Sequence, residues 1–152
     1  MEVLGGVAAG LQVASLSIKV IKKLAEFVHD ARGVVETNHR ILNQVDNLID
    51  TVRTVQDVME RRQAQTEARP LSKDELKAQN NIARTLERTI KTIDLLREKI
   101  EKLGGGKSQP GAWRRGWIQI KAQVQNEAII QIEKQMDRNM KSLQLIIPCV
   151  QL

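Results

Sequence analysis

Apolar residues recur at steps of three and four over most of this chain, and that spacing lines one face of an α-helix. Four such segments lie at about residues 2–32, 36–66, 72–103 and 112–147. The stripe of the second segment is formed by Ile41, Val45, Leu48, Val52, Val55 and Met59. The stripe of the third is formed by Ile82, Leu86, Ile93, Leu96, Ile100 and Leu103. The stripe of the fourth is formed by Trp113, Trp117, Ile120, Val124, Ala128, Ile132, Met136, Met140, Leu143 and Ile147. The pattern predicts four helices.

Local signals predict where these helices begin and end. Ser72 and Glu75 have the spacing of a capping box, which predicts the start of the third helix. Gly104 is expected to end that helix in a left-handed conformation, and residues 104–111 (GGGKSQPG) have the composition of a flexible loop. Pro148 is expected to end the fourth helix. The apolar positions of that helix drift around its axis, so we expect it to kink or to wrap around its neighbours.

Amphipathic helices with short connections predict an all-α fold, and we expect a single domain over residues 1–152, an up-down four-helix bundle with a long fourth helix. Composition agrees with this prediction. Tyrosine is absent and aromatic residues make up 2% of the chain, whereas β-sheet proteins use aromatic and β-branched residues to fill their pleated faces.

The sequence contains no catalytic or cofactor-binding pattern. Cys149 is the sole cysteine, which excludes an internal disulfide and a zinc site built from several cysteines. His29 and His39 lie ten residues apart, a spacing that does not place them on one helix face as a ligand pair. No phosphate-binding glycine loop, dinucleotide fingerprint or nucleophile elbow occurs. We therefore expect no enzymatic activity, no cofactor and no metal.

The net charge of +6 is moderate and mixed in sign along the chain. It is compatible with an anionic partner such as a phospholipid surface or nucleic acid. Nucleic acid is the weaker candidate, because no helix-turn-helix spacing is evident and the second and third segments are acidic as well as basic. We expect no nucleic-acid partner.

The first segment lacks the pattern of an ordinary bundle helix. Val3–Ile18 is an unbroken run of uncharged residues, and a helix that is apolar nearly all round is either buried or faces lipid. Its length of roughly 24 Å falls short of the roughly 30 Å hydrocarbon core of a bilayer. Gly6, Gly10 and Ala14 have the spacing that lets helices pack closely in lipid. The candidate membrane-insertion residues are Val3, Leu4, Gly5, Gly6, Val7, Gly10, Leu11, Ala14 and Ile18.

Three interpretations of this segment remain open. It can insert into a membrane, with Lys19, Lys22 and Lys23 reaching the lipid headgroups. It can instead pack inside the bundle or fray at the N-terminus. The third interpretation, a signal peptide, is disfavoured by Glu2 and by the lack of a cleavage motif.

A second candidate lipid-binding site lies at the glycine-rich loop. Its basic residues are Lys99, Lys102, Lys107, Arg114 and Arg115. The up-down order places the C-terminal end of the first helix nearby. Trp113 and Trp117 lie one helical turn apart and have the amphipathic character that favours a membrane interface. We predict headgroup contacts by Lys107, Arg114 and Arg115 and interfacial contacts by both tryptophans. The alternative is that the tryptophans fill the core and the charges form a solvated face.

The first sixty residues carry a family resemblance. The Gly/Ala-rich helix VLGGVAAGLQVASLSIKVIKKLAEFVHDAR and the second helix NHRILNQVDNLIDTVRTVQ resemble the HeLo-like N-terminal domains of fungal NLR-type (STAND) receptors and related cell-death proteins. Those domains are similar in architecture to the four-helix domain of the necroptosis pseudokinase and to the coiled-coil domains of plant immune receptors. The resemblance implies a helical bundle whose N-terminal helix is released on oligomerisation and inserted into a membrane.

This resemblance implies a fungal immune or incompatibility effector that is cytoplasmic at rest and moves to the plasma membrane when active. Its expected partners are an anionic phospholipid membrane, further copies of itself, and an upstream NLR or amyloid-signalling partner or region outside this chain. We expect either an excised domain or a small stand-alone member. The alternative is a non-lytic adaptor bundle that oligomerises or docks a partner protein.

Overall fold

The structure, a computed structural model, describes residues 5–35, 39–122 and 126–151, with side chains from residue 12 to residue 150 except at the gaps and at 121–122. Within these ranges the chain forms α-helices and no strand. The helices described are α1 (Gly5–Arg32), α2 (Arg40–Ala64), α3 (Lys73–Leu103), α4 (Ala112–Ala122) and α5 (Glu127–Gln151). The all-α prediction is confirmed. The predicted count of four is wrong, because the described residues form five helices.

The segment predicted as one helix over residues 112–147 forms α4 and α5. A new helix starts after Asn126 because its side-chain Oδ1 accepts a hydrogen bond from the Ile129 amide at 3.1 Å, as preferred at helix N-termini. The predicted stripe residue Val124 lies outside the described residues. The prediction that Pro148 ends the helix is also wrong, because α5 continues through Pro148 to Gln151. Proline costs one intrahelical hydrogen bond, and here that loss falls in the final turn.

Each of the four long helices lies against two of the others. α1 lies against α2 and α3, α5 lies against the same two helices, and α4 lies against α3. The buried residues of α2 include Ile41, Val45, Leu48, Val52, Val55 and Met59. Those of α3 include Ile82, Leu86, Ile93, Leu96 and Ile100. The predicted stripes of these two helices therefore lie in the core, except that Leu103 is half-buried at its edge.

The two ends of α3 differ in how well the sequence predicted them. The capping box is present: the Ser72 hydroxyl accepts from the Glu75 amide at 3.1 Å, and the Glu75 carboxylate accepts from the Ser72 amide at 3.3 Å. Gly104 is not left-handed, since its φ is −88°. The left-handed residues follow it, Gly105 with φ 110° and Gly106 with φ 102°. Gly104 does follow the last residue of α3, as predicted, but the predicted left-handed conformation is wrong.

Close backbone packing, rather than a left-handed turn, requires glycine at position 104. A Cβ atom at Gly104 would overlap the carbonyl oxygen of Ala112, and a Cβ atom at Gly116 would overlap the carbonyl oxygen of Ile100. Both glycines are buried. We call this contact the glycine crossing. It holds α4 directly against the last turn of α3 and thereby sets the position of the two tryptophans.

Candidate functional site

Helix α1 has two distinct faces from Gln12 onward. Its buried face is formed by Val13, Ser17, Val20, Leu24, Phe27, Val28 and Ala31. The Ser17 hydroxyl is satisfied inside the helix, because it donates to the Val13 carbonyl oxygen at 2.8 Å. Gln12, Ser15 and Ile18 lie on the exposed face. This part of α1 is therefore not fully buried. Among the described residues, no helix combines the length and hydropathy that a membrane span requires.

The predicted membrane-insertion residues fall into three groups. Val3 and Leu4 lie outside the described residues. The backbone is helical at Gly5, Gly6, Val7, Gly10 and Leu11, which form the first turns of α1. Ala14 is half-buried, and Ile18 is 57% exposed. The structure thus places the small residues on a continuous helix that leads into the packed part of α1.

Among the described side chains of α1, those that form ion pairs with neighbouring helices lie in its last third. Lys23 pairs with Asp94 of α3 at 2.8 Å, and Asp30 pairs with Arg97 of α3 at 2.8 Å. Arg32 pairs with Asp46 of α2 at 3.1 Å. Between residues 12 and 22, where side chains are described, α1 makes no ion pair or side-chain hydrogen bond to another helix. From residue 12 onward, the attachment of α1 is therefore apolar up to residue 22 and both apolar and polar towards its end.

An aromatic cluster covers the C-terminal end of α1. The Trp113 indole Nε1 donates to the Asp30 carbonyl oxygen at 3.2 Å. The Trp113 ring meets Phe27 edge to face, with centroids 5.6 Å apart, and Trp117 at 5.7 Å. The Arg97 guanidinium carbon lies 4.8 Å from the Trp113 ring centroid, within the range of a cation–π contact. Trp113 of α4 and Arg97 of α3 thus both contact the end of α1.

The two tryptophans differ in exposure. Trp117 is 1% exposed, and its ring also meets the edge of His39 at 5.1 Å. Trp113 is half-buried at the rim of the same cluster. In this folded state Trp117 belongs to the core. Contact between Trp117 and a membrane would therefore require α4 to move away from its neighbours.

The predicted headgroup-binding residues are only partly available. Lys23 is paired with Asp94. Arg115 organises the loop, because its Nε donates to the Gly104 carbonyl oxygen at 2.9 Å and its Nη1 to the Pro110 carbonyl oxygen at 2.7 Å. The side chains that are exposed without such contacts are Lys19, Lys22, Lys107 and Arg114. The lysines of α1 lie about nine to thirteen residues before its end, or roughly 14–20 Å along the axis, so they are displaced from the loop.

Arg97 and Asp30 were not singled out by the sequence, because their roles depend on contacts between helices. We expect Asp30→Asn to speed amide hydrogen exchange in residues 24–32 about two- to fivefold, since an exposed ion pair contributes about 0.5–1 kcal/mol. Asp137→Asn is the matched control, because the ion pair of Asp137 among the described residues lies within α5, with Lys141 at 2.9 Å. Equal exchange in α1 of the two variants would show that the Asp30–Arg97 pair does not hold α1.

No protein-family model, no curated protein and no solved structure matches this chain. The relationship to HeLo-like domains therefore stays a prediction from the sequence. Within the described ranges no three His, Cys, Asp or Glu side chains come together as a metal-binding group.

Proposed function

We propose that this chain is a HeLo-like, membrane-targeting cell-death effector domain, in which α1 is released on oligomerisation and permeabilises anionic membranes. One observation carries the proposal. The interhelical polar contacts of α1 lie between Lys23 and Arg32, while its N-terminal part is joined to the bundle by apolar packing alone among the described side chains. Such a helix can detach from its N-terminal end while its C-terminal end remains attached.

The apolar surface of α1 can be removed from water either by the rest of the protein or by lipid. Burying a Val or Leu side chain contributes about 1.5–3 kcal/mol, so detaching the part of α1 that carries Val13 and Val20 is unfavourable in water. A lipid environment removes the same apolar surface from water and offsets that loss. Ion pairs would not be recovered in this way. Their absence from residues 12–22 therefore favours a membrane as the second environment of α1.

Membrane insertion also requires attraction to an anionic surface and close association of copies in lipid. Exposed basic side chains supply the first and small residues supply the second. Lys19 and Lys22 are exposed, as are Lys107 and Arg114, and each contributes about 1 kcal/mol beside an anionic surface. Gly6 and Gly10 allow neighbouring copies of α1 to approach closely in lipid. Clustering by an upstream NLR or amyloid-signalling partner raises the local concentration that this association needs. The protein is then cytoplasmic at rest and at the plasma membrane when active.

Dye release from vesicles tests this function. The full chain, clustered through an inducible dimeriser fused to its C-terminus, should release dye from phosphatidylserine-containing vesicles and not from phosphatidylcholine vesicles. Replacing both Gly6 and Gly10 by leucine should reduce release at least about tenfold, because close packing of helices in lipid is lost. The far-ultraviolet circular dichroism of the soluble protein should not change.

The control variant carries Ala8→Leu and Gln12→Leu, the same four-residue spacing on another face of α1. It should release dye within about twofold of the parent chain, since it leaves Gly6 and Gly10 in place. Equal release by the two variants would contradict the close-packing mechanism. A folded, clustered chain that releases no dye would contradict the effector function and favour the non-lytic adaptor.

A further inference from the structure

A surface groove runs along the outside of the bundle where α3 and α5 lie against each other. The Asn139 side-chain amide of α5 donates to the Thr92 hydroxyl of α3 at 3.3 Å, and this buried bond shows which flank of each helix borders the other. Residues three, four or seven positions from Thr92 lie on the same flank of α3, and residues so placed from Asn139 lie on the same flank of α5. We call the surface formed by these two flanks the α3–α5 seam.

Basic residues form a row along the α3 side of the seam. Arg88 lies one turn before Thr92, and Lys99 lies two turns after it. The row spans about 27 Å at 1.5 Å per residue and consists of Arg84, Arg88, Lys99 and Lys102. Its last two members border α5 directly, since they line one cavity together with Ala128 and Ile129 of α5.

No carboxylate neutralises this row. None of its four side chains forms an ion pair or a side-chain hydrogen bond with the part of the chain that the structure describes. The acidic residues of α3 lie mainly on its opposite flank, where Asp94 pairs with Lys23 of α1 at 2.8 Å. Glu87 and Glu101 lie two turns to either side of Asp94 on that flank, and Glu98 is exposed between the two flanks. The row therefore carries four positive charges without an ion-pair partner among the described residues.

The α5 residues that border the seam are uncharged. They lie at helical spacing from Asn139 and are Ala128, Gln135, Ser142 and Ile146. The acidic residue Glu133 faces α2 instead, where it pairs with Arg40 at 2.9 Å. Leu95 of α3 lies between Arg88 and Lys99 and is 42% exposed. The seam thus has one basic side, one uncharged side and an exposed apolar residue near its middle.

We propose that the α3–α5 seam binds an amphipathic helix of a partner protein, which carries acidic residues along one side and small or apolar residues beside them. The groove between two packed helices accepts a third helix. Carboxylates of the partner would pair with the basic row, while its apolar side would cover Leu95 and the uncharged side chains of α5. A bilayer or a nucleic acid matches the basic row but not the uncharged side of the seam.

The seam is separate from the site of membrane insertion. Within the described residues α1 packs against α2 and α3 and not against α5. A partner bound at the seam therefore leaves the N-terminal part of α1 free to detach, and binding there does not depend on insertion of α1 into a membrane.

The test uses the full, unclustered chain and a synthetic peptide as the probe. The peptide is a helix of about eighteen residues or more, long enough to span the basic row, with a stripe of glutamates beside a stripe of leucines and alanines. We expect saturable binding that shifts the amide resonances of residues 84–102 and 128–146. A peptide of the same composition whose glutamates are spread around the helix should bind at least about tenfold more weakly, because its carboxylates cannot all face the row.

Two variants of the chain locate the binding surface. R88Q/K99Q should weaken binding of the striped peptide about tenfold, since half of the charge of the row is lost. R53Q/K134Q is the matched control, because Arg53 and Lys134 are exposed and lie outside the seam, and it should bind within about twofold of the parent chain. L95A should weaken binding at least about threefold with no change of charge, because apolar contact is lost. Equal binding by the two double variants would overturn the seam as the site.

Competition with other anions tests the kind of partner. Phosphatidylserine vesicles and duplex DNA, added at the same ionic strength and the same concentration of negative charge, should not displace the striped peptide. Displacement by either, together with unchanged binding in L95A, would show a general anion-binding surface and would overturn the helical partner. Because the chain is unclustered and no dye release is measured, failure of this proposal leaves the effector function unaffected.

Discussion

Removing one member of the buried Arg62–Glu75 pair should destabilise the protein by about 3–5 kcal/mol, because it leaves an uncompensated charge in the interior. The side chains of Arg62 and Glu75 are 2% and 11% exposed. We expect this loss for Arg62→Met and for Glu75→Leu, measured by urea unfolding at neutral pH. The double variant should lose less than either single variant, since two apolar side chains of similar length replace the two charges. Its residual loss includes the capping bond from Ser72 to Glu75.

The neighbouring Arg61–Asp57 pair provides the matched control. It also joins an arginine to a carboxylate, at 3.0 Å, but its side chains are 64% and 66% exposed. Arg61→Met should therefore cost less than about 1 kcal/mol. If the buried and exposed pairs responded alike, burial would not be the origin of the effect.

The pH dependence of stability provides an independent measurement of the same pair. The hydrogen bond from Arg62 holds the pKa of Glu75 below its ordinary value, despite the opposing effect of burial. A carboxyl group whose pKa is lowered by folding contributes stability that is full above its ordinary pKa and is lost as the pH falls through its folded pKa. We expect the parent chain to lose stability more steeply below about pH 4.5 than the double variant. Equal slopes would mean that Glu75 ionises normally in the folded protein.

Replacing Gly116 by alanine should destabilise the protein by about 1–3 kcal/mol or more. Helix propensity alone predicts the opposite sign, since alanine is about 1 kcal/mol more favourable than glycine inside a helix. The added Cβ would overlap the Ile100 carbonyl oxygen and press on the Ile100 side chain, and relief requires α4 to move away from α3. The thermal unfolding temperature of the variant is the measurement.

Gly33→Ala is the control for Gly116→Ala. The nearest atom to a Cβ at Gly33 is the Asp30 carbonyl oxygen at 3.5 Å, an ordinary contact. Its unfolding temperature should stay close to that of the parent chain. A stabilised Gly116→Ala variant would show that α3 and α4 can separate slightly at no cost, and the glycine crossing would then not fix α4.

The sequence predicted the core of α2 and α3 well because helical periodicity is a local property. The capping box at Ser72 and Glu75 was predictable for the same reason, since both partners lie within four residues. The division between α4 and α5 was missed because the apolar spacing continues across it. A local signal was present in Asn126 followed by Glu127, a polar cap before an acidic first turn, and it identifies the start of α5.

Helical periodicity does not predict contacts between residues that are distant in the sequence. Small-residue spacing predicted close helix packing at Gly6 and Gly10, and that remains a prediction. The close backbone contacts described above are at Gly104, which follows α3, and at Gly116 within α4, and these two glycines share no spacing motif. Arg97 likewise gains its role from Asp30, far away in the sequence. Such pairs follow from how the helices cross, which the linear pattern does not contain.

The aromatic cluster at the C-terminal end of α1 has a consequence for the fluorescence of the protein. Trp113 and Trp117 are the only tryptophans and the chain contains no tyrosine, so near-ultraviolet emission arises from this one cluster. Trp117 is buried, and Trp113 touches α1 through the Asp30 carbonyl oxygen. Withdrawal of the end of α1 would admit water to both indoles and shift their emission to longer wavelength. The protein therefore carries its own label-free reporter, which distinguishes detachment of the first turns of α1 from loss of the whole helix.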